Sequence, residues 1–196
     1  MKDLDLKGTK TAECLARAFA GESQARNRYT FFYEIATQQK QDYIANVFDE
    51  TAKNEKAHAK VFYDFLIKGL GACDIHVDAH YPIELGTIEE NLKAAAAGEH
   101  DEWSSAYKEF SEIAASEGFT EISKAFKNIA SIEKTHEERF LDVYNKMKSS
   151  TLFSSDTPKL WKCRNCGYIL EAKSAPAMCP VCKYPQGFYE VHSDDK

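Results

Sequence analysis

The feature that most restricts how this chain can fold is a four-residue pattern, Glu-x-x-His, that occurs twice. The first copy is Glu55-Lys56-Ala57-His58 and the second is Glu133-Lys134-Thr135-His136. Residues three apart on a helix share a face, so each copy can direct a carboxylate and an imidazole toward one point. One isolated copy would most simply be a solvated surface pair. Two copies in equivalent surroundings indicate a metal site between two helices.

Both copies lie on apolar stripes at helical spacing, which predicts that their glutamates and histidines point inward. The first stripe contains Ile44, Val47, Phe48, Thr51, Val61, Phe62 and Phe65, and the second contains Ile122, Phe126, Ile129, Phe140 and Val143. Burying an unpaired carboxylate costs on the order of several kcal/mol, so positive charge should compensate it. Bound metal ions would supply that charge.

Composition excludes several classes of function. The 196-residue chain has a net charge of −6 and no run of Lys and Arg, which argues against a nucleic-acid or anionic-membrane partner. No charged segment followed by an apolar one opens the sequence, and no apolar run is long enough to cross a bilayer. We therefore expect a cytoplasmic protein without membrane contact. Its 43% hydrophobic content can bury one moderate domain plus a small appendage.

Hydrophobic periodicity predicts four long helices, with a break near 39–42 and a long connection over 70–86. Thr87-Ile88-Glu89-Glu90 has the form of a capping box that opens the third helix. The predicted inward stripe of that helix is Leu92, Ala95, Glu99, Glu102, Ala106, Phe110 and Ile113, and the first helix carries Glu22 inward. Four helices with a long crossover between the second and third predict an all-α, ferritin-like four-helix bundle.

The two halves of this bundle look duplicated. The segment beginning at Phe32 reappears at Phe110, and Ala20-Gly21-Glu22 reappears as Ala97-Gly98-Glu99. The presumed ligands follow the repeat, with offsets of about 77 to 78 residues. Glu102 does not follow it, because its counterpart is Ala25. This extra carboxylate makes the site asymmetric, which favours a role in chemistry.

The end of the chain reads as a separate metal-binding unit. A Ser/Thr-rich segment over 149–158 ends in proline and is predicted to be a linker. Beyond it lie two Cys-x-x-Cys pairs, formed by Cys163, Cys166, Cys179 and Cys182. So short a segment needs a staple, and a metal on four thiolates would provide one. Four cysteines hold either zinc or iron, so a structural zinc ribbon remains an alternative. The remaining cysteines, Cys14 and Cys73, are expected to be ordinary, partly buried thiols.

Over essentially its whole length the chain resembles the rubrerythrins, with a di-iron bundle at 1–148, the linker and a rubredoxin-like β domain at 159–196. Cys-Gly-Tyr after the first cysteine pair and Cys-Pro-x-Cys in the second are typical of rubredoxin loops. The resemblance implies a di-iron ligand set of Glu22, Glu55, His58, Glu99, Glu102, Glu133 and His136, and one iron on the four cysteines. It also implies that Glu55 and Glu133 bridge the irons, that His136 is a permanent ligand, and that Tyr29 and Tyr107 hydrogen-bond near them. The other histidines, His76, His80, His100 and His192, are expected to be solvated.

The resemblance further implies a non-haem peroxidase of oxidative stress defence. Its di-iron centre would reduce hydrogen peroxide to water, and the tail iron would resupply electrons from a reductase or rubredoxin, ultimately from NAD(P)H. It implies a homodimer in which each tail lies close to the partner's di-iron site. It also suggests that Glu102 and His58 exchange on one iron with oxidation state. The alternative is a ferroxidase or iron-storage protein with a structural metal in the tail, since ferritin-like folds host both.

Overall fold

The computed structural model describes residues 4–192 and confirms the four-helix bundle. Its helices are α1 (Lys10–Gln38), α2 (Asp42–Leu70), α3 (Ile88–Asp101), α4 (Tyr107–Ser116) and α5 (Thr120–Lys148). A π-helical turn, Glu102–Ala106, joins α3 to α4, so these three pieces form the third rod of the bundle. An extended crossover lies between α2 and α3, as predicted. None of the helices in this part of the chain combines the length and apolar character needed to span a bilayer.

Local signals in the sequence account for how two of the helices begin. The Thr9 side chain accepts a hydrogen bond from the backbone N–H of Ala12 and caps α1. The predicted capping box at α3 is present, because Thr87 accepts from the Glu90 N–H while the Glu90 carboxylate accepts from the Thr87 N–H. These side chains satisfy N–H groups that would otherwise lack a partner at a helix start.

The sequence-based prediction of a continuous third α-helix is wrong in detail, because the π-helical turn interrupts that helix. A π turn adds one residue, so the buried face of α4 moves one position along the chain. Tyr107 and Ala114 are therefore buried, whereas Ala106 and Ile113, predicted for the inward stripe, are only half-buried. Glu102, the first residue of the π turn, is also half-buried.

The core has two aromatic layers with the acidic residues between them. One layer contains Tyr29, Phe32, Phe48 and Phe140, and the other contains Phe62, Tyr107, Phe110 and Phe126. Rings within each layer lie about 5–6 Å apart in tilted, edge or stacked contacts. Carboxylates held between two such layers are shielded from water, so their charged forms are less favourable than they would be in solvent.

The tail forms a three-stranded antiparallel sheet with strand order β2-β1-β3. Its strands are β1 (Ser154–Cys163), β2 (Ile169–Ser174) and β3 (Tyr189–Val191). Strand β1 therefore begins inside the segment predicted to be a linker. Ser154 pairs with Ser174 of β2, the register then shifts, and pairing with β2 resumes at Lys159. The sequence signal for a linker was local composition, which cannot reveal a strand whose partner lies further along the chain.

The tail packs against the end of the bundle where α1 turns into α2. Arg164 donates from Nε to Asp42, the first residue of α2, at 2.8 Å, and from Nη1 to Glu190. Gly187 lies so close to this turn that a Cβ at that position would collide with the Lys40 carbonyl oxygen. These contacts fix the tail on its own bundle in the described structure.

Candidate metal centres

The bundle brings six of the seven predicted di-iron ligands into two overlapping groups. The ligand atoms of Glu22, Glu55, His58 and Glu133 lie within 4.8 Å of one another, as do those of Glu55, Glu99, Glu133 and His136. All six side chains are buried. Glu55 and Glu133 belong to both groups, as two carboxylates shared between two ions would. The predicted spacing therefore produces one compound site from all of the long helical rods.

The predicted ligand Glu102 lies outside both groups. Its Oε1 atom lies 4.0 Å from where a Cβ on Gly21 would stand, and its side chain borders a small cavity beside the site. His58 lies inside, with Nδ1 2.8 Å from a Glu133 oxygen and 2.9 Å from a Glu55 oxygen. In this structure His58, and not Glu102, completes the group around Glu22.

The buried oxygen and nitrogen atoms of the site are arranged to bind metal ions rather than to hydrogen-bond with one another. Oxygens of Glu22, Glu55, Glu99 and Glu133, together with His136 Nδ1, are buried without a hydrogen-bond partner in the described structure. His136 Nδ1 stands 2.7 Å from a Glu133 oxygen, yet neither atom has hydrogen-bond geometry. Lone pairs directed at a common centre in this way are expected around a cation. A set of carboxylates and imidazoles suits iron or manganese.

Burial makes the ionised forms of Glu22 and Glu99 unfavourable, whereas the pKa of Glu133 is lowered because interactions with His136 and His58 outweigh its burial. Burial raises the pKa of Glu22 well above its ordinary value, although the neighbouring His58 opposes the shift. Burial and the charge of Glu55 raise the pKa of Glu99 to about 8. A divalent cation would favour the ionised forms of Glu22 and Glu99, so metal binding here is coupled to the release of protons.

Two buried tyrosines brace the carboxylates, as the resemblance implied. Tyr29 in α1 donates to Glu99 in α3 at 2.5 Å, and Tyr107 in α4 donates to Glu22 in α1 at 2.5 Å. The two bonds are related by the internal repeat, since each half's tyrosine holds the other half's glutamate. Burial raises the pKa of both phenols well above the ordinary value, so they remain hydrogen-bond donors.

One contact beside the site was missed in the sequence. Asn54 Oδ1 lies 3.3 Å from His136 Nε2, and a bond from that Nε2–H would leave the Nδ1 lone pair facing the carboxylates. The repeat-equivalent position is occupied by apolar Ile132, so His58 has no matching amide there. Asn54 directly precedes a presumed ligand, which was the available signal for it.

The tail brings its four cysteines together. Their Sγ atoms lie within 4.8 Å of one another, with Cys163 and Cys182 at 3.7 Å and Cys166 and Cys179 at 3.7 Å. A tetrahedral metal with bonds of about 2.3 Å to sulfur requires sulfur atoms about 3.8 Å apart, so the set fits one ion. Each loop also closes through a 2.8 Å backbone bond, from Cys163 N to Tyr168 O and from Cys179 N to Tyr184 O.

The structure agrees with some of the predictions made for residues outside the metal sites and differs from others. Cys14 is buried, and burial raises the pKa of its thiol to about 11, whereas Cys73 is exposed. His76, His80 and His100 are exposed, although His100 Nδ1 also lies 3.1 Å from Glu137. His192 is half-buried, which differs from the prediction of a solvated side chain.

Comparison with known proteins identifies the family. A rubrerythrin family profile matches residues 13–144, and a profile for the rubredoxin-like domain of rubrerythrin matches residues 161–190. The chain belongs to the rubrerythrin family. Rubrerythrin-1 of Clostridium acetobutylicum is 47% identical over 191 residues, covering 97% of this chain and 98% of that relative. Rubrerythrin of Nitratidesulfovibrio vulgaris is 41% identical over 187 residues, covering 95% and 96%.

A solved structure agrees with this family assignment. Nigerythrin in a mixed-valent state superposes with a TM-score of 0.62 at 28% identity, covering 98% of this chain and 94% of that one. This rubrerythrin-family chain therefore carries the residues of a di-iron carboxylate site and of a four-cysteine rubredoxin-like site. Rubrerythrins are generally oxidoreductases, and the two sites are consistent with redox chemistry.

Proposed function

We propose that this chain is a non-haem peroxidase that reduces hydrogen peroxide to water, with electrons relayed through the rubredoxin-like centre, in defence against oxidative stress. The observation that carries the proposal is the presence, in one chain, of a buried carboxylate cluster and a four-thiolate site. Reduction of one peroxide to two waters consumes two electrons and two protons. Two ferrous ions, when bound, would supply both electrons to the O–O bond.

The protein's own contribution is to hold the ligands in place and keep water out. We assign Glu55 and Glu133 as the shared ligands, Glu22 and His58 to one side, and Glu99 and His136 to the other. The Tyr29 and Tyr107 hydroxyls keep the outer carboxylates oriented. The aromatic layers above and below exclude solvent, which strengthens electrostatic interactions inside.

We assign Glu102 as a seventh ligand that alternates with His58. Glu102 borders the cavity next to Gly21, and His58 occupies the group around Glu22. A neutral imidazole suits a cluster that has lost positive charge on reduction, whereas a fifth carboxylate suits the oxidised state. Crystals of the oxidised and reduced protein with identical ligand sets would refute this assignment.

The electron donor is proposed to be a rubredoxin-type protein or an NAD(P)H-dependent reductase acting through the tail. The tail ion is proposed to be iron, because four thiolates with rubredoxin loops suit one-electron transfer. Ferric iron on four thiolates colours the protein, and zinc does not. Stoichiometric zinc on the cysteines after iron-replete expression would remove the relay and favour the storage alternative.

The proposal is tested by adding one equivalent of peroxide to the anaerobically reduced full-length protein. Rapid oxidation of the di-iron centre is expected. Glu55→Ala removes a shared ligand and should slow this step by more than the roughly tenfold to hundredfold that loss of an outer-shell partner costs. Glu112→Ala, on an exposed position of α4, is the matched control and should oxidise like the wild type.

A second arm separates peroxidase from iron storage. Excess ferrous iron is added in air, and the iron retained per chain is measured after gel filtration. The proposal predicts no iron beyond the di-iron pair and the tail ion. Continued uptake into a larger deposit, together with slow reaction with peroxide, would show that storage is the better description.

A further inference from the structure

A cavity of about 180 Å³ lies beside the di-iron site and is covered by the crossover between α2 and α3. The crossover is fastened there by Tyr81, whose hydroxyl donates to the Arg17 carbonyl at 2.6 Å and whose ring lies 3.4 Å from where a Cβ on Gly21 would stand. The polar residues that line the cavity are Arg17, Gln24, Arg28, His80, Asp101 and Glu102. The space is large enough for several waters or one small ligand.

Arg28 is the buried cation of this cavity, and among residues 4–192 no carboxylate lies within ion-pair distance of it. The residue is only 6% exposed, and its Nε and Nη1 atoms have no hydrogen-bond partner among residues 4–192. Its guanidinium carbon lies 5.4 Å from the centre of the Tyr29 ring. A buried guanidinium without an anion or acceptor is costly, so a ligand that supplies one is expected to bind.

The backbone of α3 is shaped to admit this guanidinium. A Cβ at Gly98 would stand only 2.9 Å from Arg28 Nη2, so glycine allows the guanidinium to approach the helix closely. Glu102 borders the cavity at its other end, near Gly21. Gly21 and Arg28 are seven residues apart on α1, which corresponds to about 10 Å along the helix. Acidic side chains are not confined to that end, because Asp101 lies three residues after Gly98 on α3 and also lines the cavity.

We propose that the Arg28 end of this cavity is a binding site for a small oxyanion, such as inorganic phosphate. A guanidinium donates charge-assisted hydrogen bonds to such anions, and the N–H groups on the unpartnered Nε and Nη1 atoms of Arg28 are available for them. Arg17, Gln24 and His80 add donors around the cavity. Arg28 belongs to neither ligand group, although Glu102 lines the same cavity, and the inference holds whether or not the chain is a peroxidase.

The first test is calorimetric titration of inorganic phosphate into the full-length, iron-loaded protein. Saturable binding of one phosphate per chain is expected. Arg28→Gln should weaken it at least about tenfold, because the charge-assisted bonds to the anion are lost. Arg26→Gln is the matched control, since Arg26 is exposed on the same helix and its loss changes the net charge equally. Equal weakening in both variants would show a general charge effect and overturn the site.

A second measurement locates the phosphate and protects the test against misfolding. Paramagnetic iron nearby should broaden the ³¹P resonance of phosphate bound in this cavity, and Arg28→Gln should abolish the broadening. Broadening that survives in Arg28→Gln would place phosphate on the irons instead and refute the proposal. If Arg28→Gln fails to fold, Arg28→Lys keeps the charge but lacks the Nε and Nη1 donors of the guanidinium, and it should bind phosphate several-fold more weakly. Absence of saturable binding to the wild type would refute the site directly.

Discussion

Lys183 has a left-handed backbone conformation, and glycine occupies the matching position in the first cysteine loop. Gly167 follows Cys163 by four residues with φ +78°, and Lys183 follows Cys179 by four residues with φ +63°. The left-handed region costs a residue with a Cβ about 1–2 kcal/mol relative to glycine. Glycine, however, loses more conformational entropy on folding.

We therefore expect Lys183→Gly to leave the stability of the tail between unchanged and about 1 kcal/mol higher. The lost bond from Lys183 Nζ to the Pro180 carbonyl is exposed and should cost little. Thermal unfolding followed through the thiolate absorption of the tail iron measures the change. Gly167→Ala in the other loop is the comparison and should destabilise the tail. A loss of stability in Lys183→Gly as large as in Gly167→Ala would contradict the conformational argument.

At the same scale, helical spacing was enough to predict which glutamates and histidines meet. Glu55 and His58 share a face because they are three residues apart, and the repeat placed Glu133 and His136 opposite them. Spacing could not separate Glu102 from the other carboxylates, because its position depends on the π-helical turn. It also could not identify Arg28, whose burial is decided by Gly98 on another helix and by the crossover.

At the scale of elements, the π-helical turn corresponds to a one-residue insertion in the second half of the internal repeat. Glu22 and Glu99 are offset by 99 − 22 = 77 residues, whereas Tyr29 and Tyr107 are offset by 107 − 29 = 78. One extra residue therefore lies between Glu99 and Tyr107, and the structure places it in the turn Glu102–Ala106. The change of offset was visible in the sequence. The hydrophobic pattern alone suggested an unbroken helix because Ala106 and Phe110 fit its period.

Deleting Ser105 should therefore be tolerated, because the exposed residue lies in the turn that carries the insertion. The spacing from Glu99 to the tyrosine would become seven, as it is from Glu22 to Tyr29 in regular α1. We expect the tyrosine to keep its bond to Glu22 and the free energy of unfolding to fall by no more than about 2 kcal/mol. Thermal unfolding followed by circular dichroism measures the change.

The control is deletion of Asn27, which is equally exposed but lies in regular helix between Glu22 and Tyr29. It would turn one side of α1 by about 100° relative to the other and remove Phe32 or Leu15 from the core. A much larger loss of stability is expected. If deleting Ser105 is as damaging as deleting Asn27, the turn is not a tolerated insertion in an otherwise regular repeat.

At the scale of the whole molecule, the tail lies at one end of its own bundle, away from the carboxylate cluster. Arg164 contacts Asp42 at the start of α2, and Glu55 lies thirteen residues further along that helix. At 1.5 Å per residue this separation is about 20 Å along the axis, which is long for electron transfer through protein. The sequence could not show this placement, because the contacts that dock the tail are made by isolated surface residues. A homodimer would let a second chain's tail serve the site instead.

The proposed exchange between two chains can be tested by complementation. A truncation ending at Lys148 retains all the carboxylate ligands and nearly all of the bundle core, so we expect it to fold and bind two irons. It should react once with peroxide after chemical reduction but lose turnover with a reductase. Full-length Glu55→Ala should also be inactive, because it keeps the tail but loses a shared ligand. Co-refolding the two should restore turnover if the tail of one chain reduces the bundle of the other, since mixed dimers then contain one complete route.

Two full-length inactive variants, Glu55→Ala and Glu133→Ala, provide the control and should not complement. If the mixture of truncated and Glu55→Ala chains stays inactive while gel filtration and mass analysis show that mixed dimers have formed, electrons must travel within one chain, and the two-chain route is wrong.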